Sequence, residues 1–350
     1  MPSVRVLIVD DSSLFRRILT TVFRAIPGVE VVGSASNGAE ALRLVESLKP
    51  ELVSLDLEMP EMDGLETLRR LRLLDTRSKV LMVSAHTTRG ARRTIEALCL
   101  GAEDFITKQN AQGDASTNLE ALRAQLEPKV EQLFPRQAGV RAQVARRPPL
   151  PGAPKKAVVI GVSTGGPNAL SEVFSTLPAG LPVPILIVQH MPPTFTRMLA
   201  ERLSAKGKIP VSEAREGEPI LNGHAYIAPG DFHLEIAGDA RRPLVALSQG
   251  PRENSCRPAA DVLFRSAARV YGRDCLGVVM TGMGSDGCLG AREIQRVGGE
   301  VLIQNEATCV VYGMPRAVAE AAIVHESYPL DELASAITER ATRRTQWRTA

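Results

Sequence analysis

Three polar residues, Ser163, His190 and Asp286, each follow a short apolar run in the second half of the chain. Ser163 lies in a G-x-S-x-G pattern with a helical pattern directly after it, a setting in which a tight turn exposes a nucleophilic serine. A hydroxyl becomes a nucleophile when an imidazole takes its proton, and a carboxylate orients that imidazole. These residue types therefore predict acyl-transfer chemistry, with an oxyanion received by backbone N–H groups near residues 164–166 or 283–284.

Each of the three residues also has a simpler structural explanation. Ser163 could cap the helix that follows its glycine-rich turn, and Asp286 could cap a later helix in the same way. His190 could be a hydrogen-bonded histidine at the end of a strand. These explanations do not account for the fact that all three follow predicted parallel strands, whose carboxyl ends share one edge of an open sheet.

Two other arrangements use some of the same residues. An α/β-hydrolase orders its triad as serine, acid, histidine, and Ser163, Asp286 and His325 follow that order. A dinucleotide site is indicated by the G-x-G-x-x-G pattern at residues 282–287, with Glu306 near the distance of a ribose-binding carboxylate. We rank both arrangements lower, because the first lacks an extended loop before its histidine and the second leaves the serine without a role.

A second group of polar residues follows the apolar runs of the first half. Asp10, Asp11 and Asp56 each come directly after such a run, as do Ser84 and Lys108. Three carboxylates at one sheet edge raise one another's pKa values unless a cation lies among them, and hard oxygen ligands suit Mg²⁺. A carboxylate beside that cation, a hydroxyl and an ammonium could hold a phosphoryl group, so Asp56 is a candidate acyl-phosphate acceptor. The alternative, that these residues only form turns, explains one such position but not all five.

Apolar runs alternate with helical patterns along both halves, and this alternation of strands and helices predicts two doubly wound α/β parallel sheets. A helical stretch at 118–133 ends the first half, and residues 226–228, 232–236 and 244–247 predict a small antiparallel insertion in the second. The predicted strands are 4–9, 29–33, 51–55, 80–83 and 104–107 in the first half, and then the run before Ser163, 185–189, 276–280 and 300–304.

Length and composition limit the class of protein. A chain of 350 residues is long enough for two domains, and a proline-rich basic stretch at 135–156 reads as the linker between them. The net charge of +3 gives no reason to expect a nucleic-acid partner, and the five scattered cysteines indicate neither zinc nor a disulfide framework. No apolar run approaches the ~20 residues of a membrane span. We therefore expect a cytoplasmic protein without a signal peptide.

The first half resembles the receiver domain of bacterial two-component response regulators over about residues 3–122. The resemblance implies a flavodoxin-like fold, phosphorylation at Asp56 and a switch formed by Ser84, Lys108 and Phe105. It also implies Mg²⁺ at the phosphorylation site. In one respect the chain departs from the family, because Gln109 follows Lys108 where proline is common. The matching residues are Asp10, Asp11, Asp56, Ser84, Phe105 and Lys108, with the segments 59–60 and 62–64.

The second half resembles the catalytic domain of chemotaxis protein-glutamate methylesterases, a Rossmann-like α/β fold. The resemblance assigns the nucleophile to Ser163, the base to His190 and the orienting acid to Asp286, and it implies no cofactor for the ester hydrolysis. It places Thr164 and Met283 beside the reacting carbonyl, and Gly165 belongs to the same oxyanion vicinity. The family often has histidine where this chain has Cys256. The motifs that carry the resemblance are residues 160–166, 189–192, 226–230, 261–264, 281–287 and 311–315.

Together these resemblances imply three segments: a receiver domain at 1–122, a linker at 123–156 and a methylesterase domain at 157–345. The implied substrate is methylated glutamate on the cytoplasmic helices of methyl-accepting chemoreceptors, with deamidation of certain glutamines as a related activity. A chemotaxis-type histidine kinase is the implied phosphodonor, and we expect a monomer that neither binds nucleic acid nor inserts into a membrane. The alternative is a phospho-switched binding module with an inactive hydrolase-like domain.

Overall fold

The computed structural model describes residues 3–74, 77–85, 87–108, 115–135 and 154–343. The chain divides into two compact units, Met1–Gly139 and Val140–Ala350. The central part of the predicted linker, residues 136–153, lies outside the described residues, and so does Gln109. Within the described parts of the chain, no helix has the length and apolar character that crossing a bilayer requires.

The first unit is built on a parallel sheet with the strand order β2-β1-β3-β4-β5. This is the order of flavodoxin-like doubly wound folds, so the predicted fold class of this half is confirmed. Its strands are β1 (Val4–Val9), β2 (Val29–Ala35), β3 (Leu52–Asp56), β4 (Lys79–Ala85) and β5 (Asp104–Lys108), and its helices are α1 (Ser13–Arg24), α2 (Gly38–Leu48), α3 (Gly64–Leu73), α4 (Thr88–Cys99) and α5 (Ala115–Leu133).

Short polar side chains start four of these helices. Each accepts a hydrogen bond from the backbone N–H three residues later, which satisfies a donor that the first helical turn leaves free. Three of these caps lie within three residues of the preceding strand, whereas Asp63 follows the longer loop after β3. The capping residues are Ser12, Asn37, Asp63 and Thr87.

The second unit contains a seven-stranded parallel sheet with the order β14-β13-β12-β6-β7-β9-β8. Strands β12, β6 and β7 are neighbours in this sheet, and they are the strands that Asp286, Ser163 and His190 follow. The main-sheet strands are β6 (Ala157–Val162), β7 (Ile185–Gln189), β8 (Val211–Glu213), β9 (Ala225–Ile227), β12 (Cys275–Val279), β13 (Glu300–Gln304) and β14 (Glu326–Tyr328).

Helices cover both faces of this sheet. Helix α8 packs against β6 and against an antiparallel hairpin, which is formed by β10 (His233–Asp239) and β11 (Arg242–Ser248). The second unit therefore agrees with the predicted doubly wound domain that carries a small antiparallel insertion. The helices are α6 (Gly166–Thr176), α7 (Phe195–Lys206), α8 (Ala260–Tyr271), α9 (Cys288–Arg296), α10 (Met314–Glu320) and α11 (Leu330–Thr342).

The composition of the insertion was predicted wrongly in one respect. Residues 226–228 were assigned to the antiparallel insertion, but Tyr226 lies in β9, which pairs in parallel with β7 and β8 of the main sheet. Strand β9 has only three residues, and a run this short has no sequence pattern that distinguishes parallel from antiparallel pairing. The three-residue strands β8 and β14 were missed for the same reason.

Candidate functional site

Ser163 lies in the turn that joins β6 to α6, and backbone hydrogen bonds hold it on both sides. Its N–H donates to the Thr281 carbonyl at 2.9 Å, and its own carbonyl accepts from the Gly166 N–H at 2.8 Å. A Cβ atom at Gly282 would lie 2.7 Å from the Ser163 Cβ, so only glycine allows the turn after β12 to approach this closely. Ser163 itself is half-buried.

Gln189, the last residue of β7, connects the serine turn to the histidine turn. Its buried amide nitrogen donates to the Ser163 carbonyl at 2.9 Å and to the His190 carbonyl at 3.3 Å. A Cβ at Gly166 would lie 2.0 Å from the Gln189 Oε1, so glycine is required there too. Sequence reasoning missed this residue, although a glutamine that ends an otherwise apolar strand is a signal that could have found it.

The imidazole of His190 is paired directly with the carboxylate of Asp286. His190 Nε2 lies 2.6 Å from Asp286 Oδ2. Burial lowers the pKa of His190, but the hydrogen bonds and charges of Asp286 and Cys256 outweigh burial and raise the pKa to about 9. The structure thus brings together the base and the acid that the sequence predicts.

Asp286 accepts hydrogen bonds from several donors besides His190. The N–H of Ala260 donates to Oδ2 at 2.6 Å, and the N–H groups of Asp261 and Gly287 donate to Oδ1 at 3.0 Å each. Burial raises the pKa of Asp286, but the contact with His190 and the hydrogen bonds from the Asp261 and Ala260 N–H groups lower it by more. The net pKa of Asp286 therefore lies below its ordinary value. Asp286 does cap a helix, as the simpler explanation suggested, but that helix is α8 rather than α9, and the capping oxygens also serve His190.

Among the described residues, no hydrogen bond joins the Ser163 hydroxyl to His190, so the serine–histidine step stays a prediction. His325 does not pair with Asp286. Its Nδ1 accepts from the Val301 N–H at 3.0 Å, while Asp286 bonds to His190. The order required for an α/β-hydrolase triad is therefore not supported.

The dinucleotide arrangement gains no support either. Glu306, its candidate ribose ligand, lies in a short 3₁₀ turn and faces Arg316 at 3.8 Å. Of the three glycines in the 282–287 pattern, Gly282 instead allows the turn after β12 to lie against the serine turn.

The predicted oxyanion vicinity differs in exposure from residue to residue. Thr164 is buried, Gly165 has a φ of 79° that favours glycine, and the Met283 side chain is 45% exposed. The Gly166 N–H is already used by the Ser163 carbonyl, which removes it from the candidate oxyanion donors.

A cleft of about 460 Å³ lies beside His190. Cys256 lines this cleft together with His190 and contributes to the raised pKa of the imidazole. Substrate can thus reach the imidazole from the side on which this thiol lies. The cleft is lined by His190, Met191, Pro192, Pro193, Asp231, Arg252, Ser255, Cys256, Arg257 and Pro258.

The first unit brings together its predicted carboxylates. Carboxylate oxygens of Asp10, Asp11 and Asp56 all lie within 4.8 Å of one another, which fits a small hard cation such as Mg²⁺. The buried Asp10 Oδ2 makes no regular hydrogen bond, although the Lys108 ammonium lies 2.9 Å away as an ion pair. A bound cation would therefore share this oxygen with the Lys108 ammonium.

Lys108 also contacts Asp56, with Nζ donating to Oδ2 at 2.8 Å. Burial raises the pKa of Asp56 to about 6 despite the opposing effect of Lys108. For Lys108, burial lowers the pKa, but Asp56 and Asp10 raise it by more. A cation or a phosphoryl group at Asp56 would therefore change the charge that faces the Lys108 ammonium.

The remaining predicted switch residues flank this site. The Ser84 hydroxyl accepts a hydrogen bond from the Thr94 hydroxyl at 2.7 Å, and Phe105 is buried on the neighbouring strand β5. A Cβ at Gly64 would lie 2.1 Å from the Asp56 carbonyl, so this glycine of the 62–64 motif permits α3 to start against the end of β3.

Comparisons with known proteins agree with this architecture. Residues 158–337 match the family model described as CheB methylesterase, and residues 6–120 match the model described as response regulator receiver domain. The protein-glutamate methylesterase/protein-glutamine glutaminase of Trichodesmium erythraeum is 45% identical, covering 97% of this chain and 99% of that protein. The protein of the same name, numbered 2, from Pseudomonas aeruginosa is 42% identical, covering 97% and 98%.

Among solved structures, the CheB methylesterase catalytic domain of Thermotoga maritima superimposes with a TM-score of 0.52 at 40% identity, covering 53% of this chain and 99% of that domain. That coverage corresponds to the second unit alone. From the family models and the full-length relatives, the chain belongs to the CheB methylesterase family, with a response regulator receiver domain preceding its catalytic domain.

Proposed function

We propose that this chain is a phosphorylation-activated serine esterase that hydrolyses glutamate methyl esters on chemoreceptors and deamidates specific glutamines of the same proteins. The proposal draws on the names of the full-length relatives and on the His190–Asp286 pair beside the Ser163 turn. The rival function, a binding module without catalysis, has no comparable support, because the serine, the imidazole and the carboxylate are all present at one sheet edge.

In the proposed reaction, the Ser163 hydroxyl attacks the carbonyl carbon of the glutamyl ester. Because Asp286 occupies Nε2 of His190, Nδ1 is the nitrogen left to accept the serine proton. The resulting oxyanion is received by backbone N–H groups near Thr164, Gly165 or Met283. When the intermediate collapses, the C–O bond to the methoxy group breaks, and His190 donates its proton so that methanol leaves.

Hydrolysis of the acyl-enzyme follows the same path in reverse. A water molecule takes the place of methanol and gives its proton to His190, while its oxygen attacks the acyl carbon. The bond to Ser163 then breaks, the serine recovers its proton, and glutamate leaves as the free acid. With a glutamine substrate, ammonia takes the place of methanol, and no cofactor is needed in either case.

The receiver half supplies the regulation in this proposal. Asp56 accepts the phosphoryl group from a chemotaxis-type histidine kinase, and Ser84, Lys108 and Phe105 respond to it. Asp10, Asp11 and Asp56 would hold Mg²⁺, which supplies positive charge to the phosphoryl oxygens when bound. We place the protein in the cytoplasm as a monomer, with receptor helices as substrate, and we keep the limits 1–122, 123–156 and 157–345 for its three segments.

The observation that carries the proposal is the 2.6 Å contact between His190 and Asp286 at the edge that Ser163 shares. The test is methanol release from a methylated receptor fragment, with and without a small phosphodonor. We expect Ser163→Ala to lower the release by roughly 10⁴-fold or more while the variant still incorporates phosphate. Methanol release at the wild-type rate from Ser163→Ala would contradict the assignment of the nucleophile.

A further inference from the structure

We propose that Asn254 and Asp261 are positioning residues of the esterase, which hold Asp286 in the one orientation that serves His190. The inference rests on the proposed function for its kinetic part. Its structural part, the state of the His190–Asp286 pair, can be measured without any substrate. Neither residue was among the site residues expected from the sequence.

Asn254 bridges two carboxylates. Its Nδ2 donates to Asp286 Oδ1 and to Asp261 Oδ2, each at 3.0 Å. An amide nitrogen has two protons, so it can donate to both carboxylates at once. Asn254 has a φ of 50°, in the left-handed region where asparagine occurs more readily than most other residues. Asparagine is therefore a residue type that suits this backbone conformation.

Asp261 is the second anchor, and it is 0% exposed. Its Oδ1 accepts from the Gly290 N–H of α9 at 2.6 Å, and its own N–H donates to Asp286 Oδ1 at 3.0 Å. Asp261 thus connects the first turn of α8, the first turn of α9 and the loop that carries Asn254. Movement of any one of these elements would be transmitted to Asp286.

The bridge also determines which oxygen of Asp286 meets the imidazole. Asn254 and two backbone N–H groups occupy Oδ1, which leaves Oδ2 to accept from the Ala260 N–H and from His190 Nε2. If Asn254 were absent, Oδ1 would lose the one side-chain donor that the described part of the chain gives it. The two buried carboxylates would then face each other without a shared proton donor, and their repulsion would displace Asp286 from its position.

The neighbouring carboxyl groups of Asp261 and Asp286 have pKa values that are shifted in opposite directions. Burial raises the pKa of Asp261 to about 6, and the charge of Asp286 adds to the effect, whereas the pKa of Asp286 itself lies below its ordinary value. As pH falls, Asp261 is therefore protonated before Asp286. The titratable and charged groups that interact with Asp261 are Asp286, Glu253, Arg265 and Cys288.

The first test compares Asn254→Gly with Ala322→Gly. Glycine adopts positive φ without strain, so Asn254→Gly removes the bridge and spares the backbone. Ala322 has a φ of 56°, is exposed and has no contact with the triad, so it controls for the backbone change. We expect kcat of Asn254→Gly to fall about tenfold to a hundredfold, with KM unchanged, as for a lost hydrogen bond to a charged group. Ala322→Gly should match the wild type.

A second readout of the same variants is the low-field proton resonance of the His190–Asp286 hydrogen bond in NMR. It should move or disappear in Asn254→Gly and remain in Ala322→Gly. If Asn254→Gly does not fold, Asn254→Asp replaces it, because aspartate also adopts positive φ, as Asp231 does in this chain, and its carboxylate offers no N–H donor to the other two. A wild-type kcat together with an unchanged resonance would overturn the proposal. Failure of the esterase function itself would appear instead as wild-type methanol release from Ser163→Ala.

The third measurement uses Asp261→Asn and the pH profile of kcat/KM. Removal of a negative charge next to Asp286 lowers the pKa of His190, so the acid limb of the profile should move to lower pH. A purely structural role would reduce activity or thermal stability without moving that limb. An acid limb at the wild-type position, in a variant that folds, would therefore refute the role of Asp261.

Discussion

At the scale of single residues, the His190 imidazole is subject to two opposing requirements. In the proposed reaction it must be neutral to accept the serine proton, yet Asp286 and Cys256 favour its protonated form and raise its pKa to about 9. The same contact that orients the ring therefore reduces the fraction of enzyme that is active at neutral pH. This is the cost of holding the base beside a buried carboxylate.

The pH dependence of activity follows from this pKa. Since only neutral His190 acts as the base, we expect kcat/KM for a methyl ester to increase with pH up to about 9. The measurement is a pH profile of methanol release, with spontaneous ester hydrolysis subtracted at each pH. A profile that is flat from neutral pH upward would contradict the raised pKa.

The same group contributes to stability with a definite sign. Its folded pKa is raised from 6.5 to about 9, so its contribution is fully present below pH 6.5 and is lost as pH rises through about 9. We expect the free energy of unfolding to fall over this interval in the wild type. His190→Gln should remove that part of the pH dependence, which denaturant titrations at several pH values would reveal.

Cys256 offers a third test at this scale. Its interaction raises the pKa of His190, so Cys256→Ala should lower that pKa and move the acid limb of the kcat/KM profile to lower pH. Cys99→Ala, in the other unit, is the matched control and should leave the profile in place. If both variants give the wild-type limb, the thiol does not act on the imidazole.

At the scale of strands and helices, the site depends on the order of three neighbouring strands. The apolar runs were sufficient to predict β6, β7 and β12, and the rule for parallel sheets was sufficient to predict that Ser163, His190 and Asp286 share an edge. The sequence could not reveal the short strand β9 as part of that sheet. Three residues carry no periodicity, and their pairing is decided by contacts distant in sequence.

The residues that support the triad were harder to predict, for a related physical reason. Gln189 and Asn254 act through hydrogen bonds to residues far along the chain, such as Asn254 to Asp286 across 32 positions. No local pattern marks such a partner. The close approach of Gly282 to Ser163 is also a tertiary contact, whereas the G-x-S-x-G turn is local and could be recognised directly.

One element-scale prediction concerns the end of the second unit. Arg340 of α11 is buried and pairs with Glu300 of β13 at 3.0 Å and with Glu326 of β14. Arg340→Ala takes the buried guanidinium away from Glu326 and from Glu300, although Lys155 and Arg343 still pair with Glu300, so we expect a loss of about 3 kcal/mol in unfolding free energy. Arg296→Ala, which breaks an exposed pair with Glu293, should cost under about 1 kcal/mol. Denaturant titration of both variants tests this contrast, and equal losses would contradict it.

At the scale of the whole molecule, the chain contains two separate chemical sites, one in each unit. Asp56 is the acceptor proposed for phosphate in the first, and Ser163 is the nucleophile proposed in the second. Such an arrangement has a function as a switch only if the charge state of the first site changes the rate at the second. The experiment must therefore modify one unit and measure the other.

We expect Asp56→Asn to abolish the stimulation of methanol release by a small phosphodonor, because the amide cannot form the acyl phosphate. The rate without phosphodonor should stay at the wild-type level, since the triad residues belong to the other unit. Glu46→Gln, an exposed carboxylate on α2, is the matched control and should retain full stimulation. Neither variant should carry phosphate esters on serine, threonine or tyrosine. Any rise in the rate of methanol release can then be assigned to an acyl phosphate. Stimulation of Asp56→Asn equal to that of Glu46→Gln would mean that the phosphodonor acts elsewhere, and the receiver would then have no role in controlling the esterase.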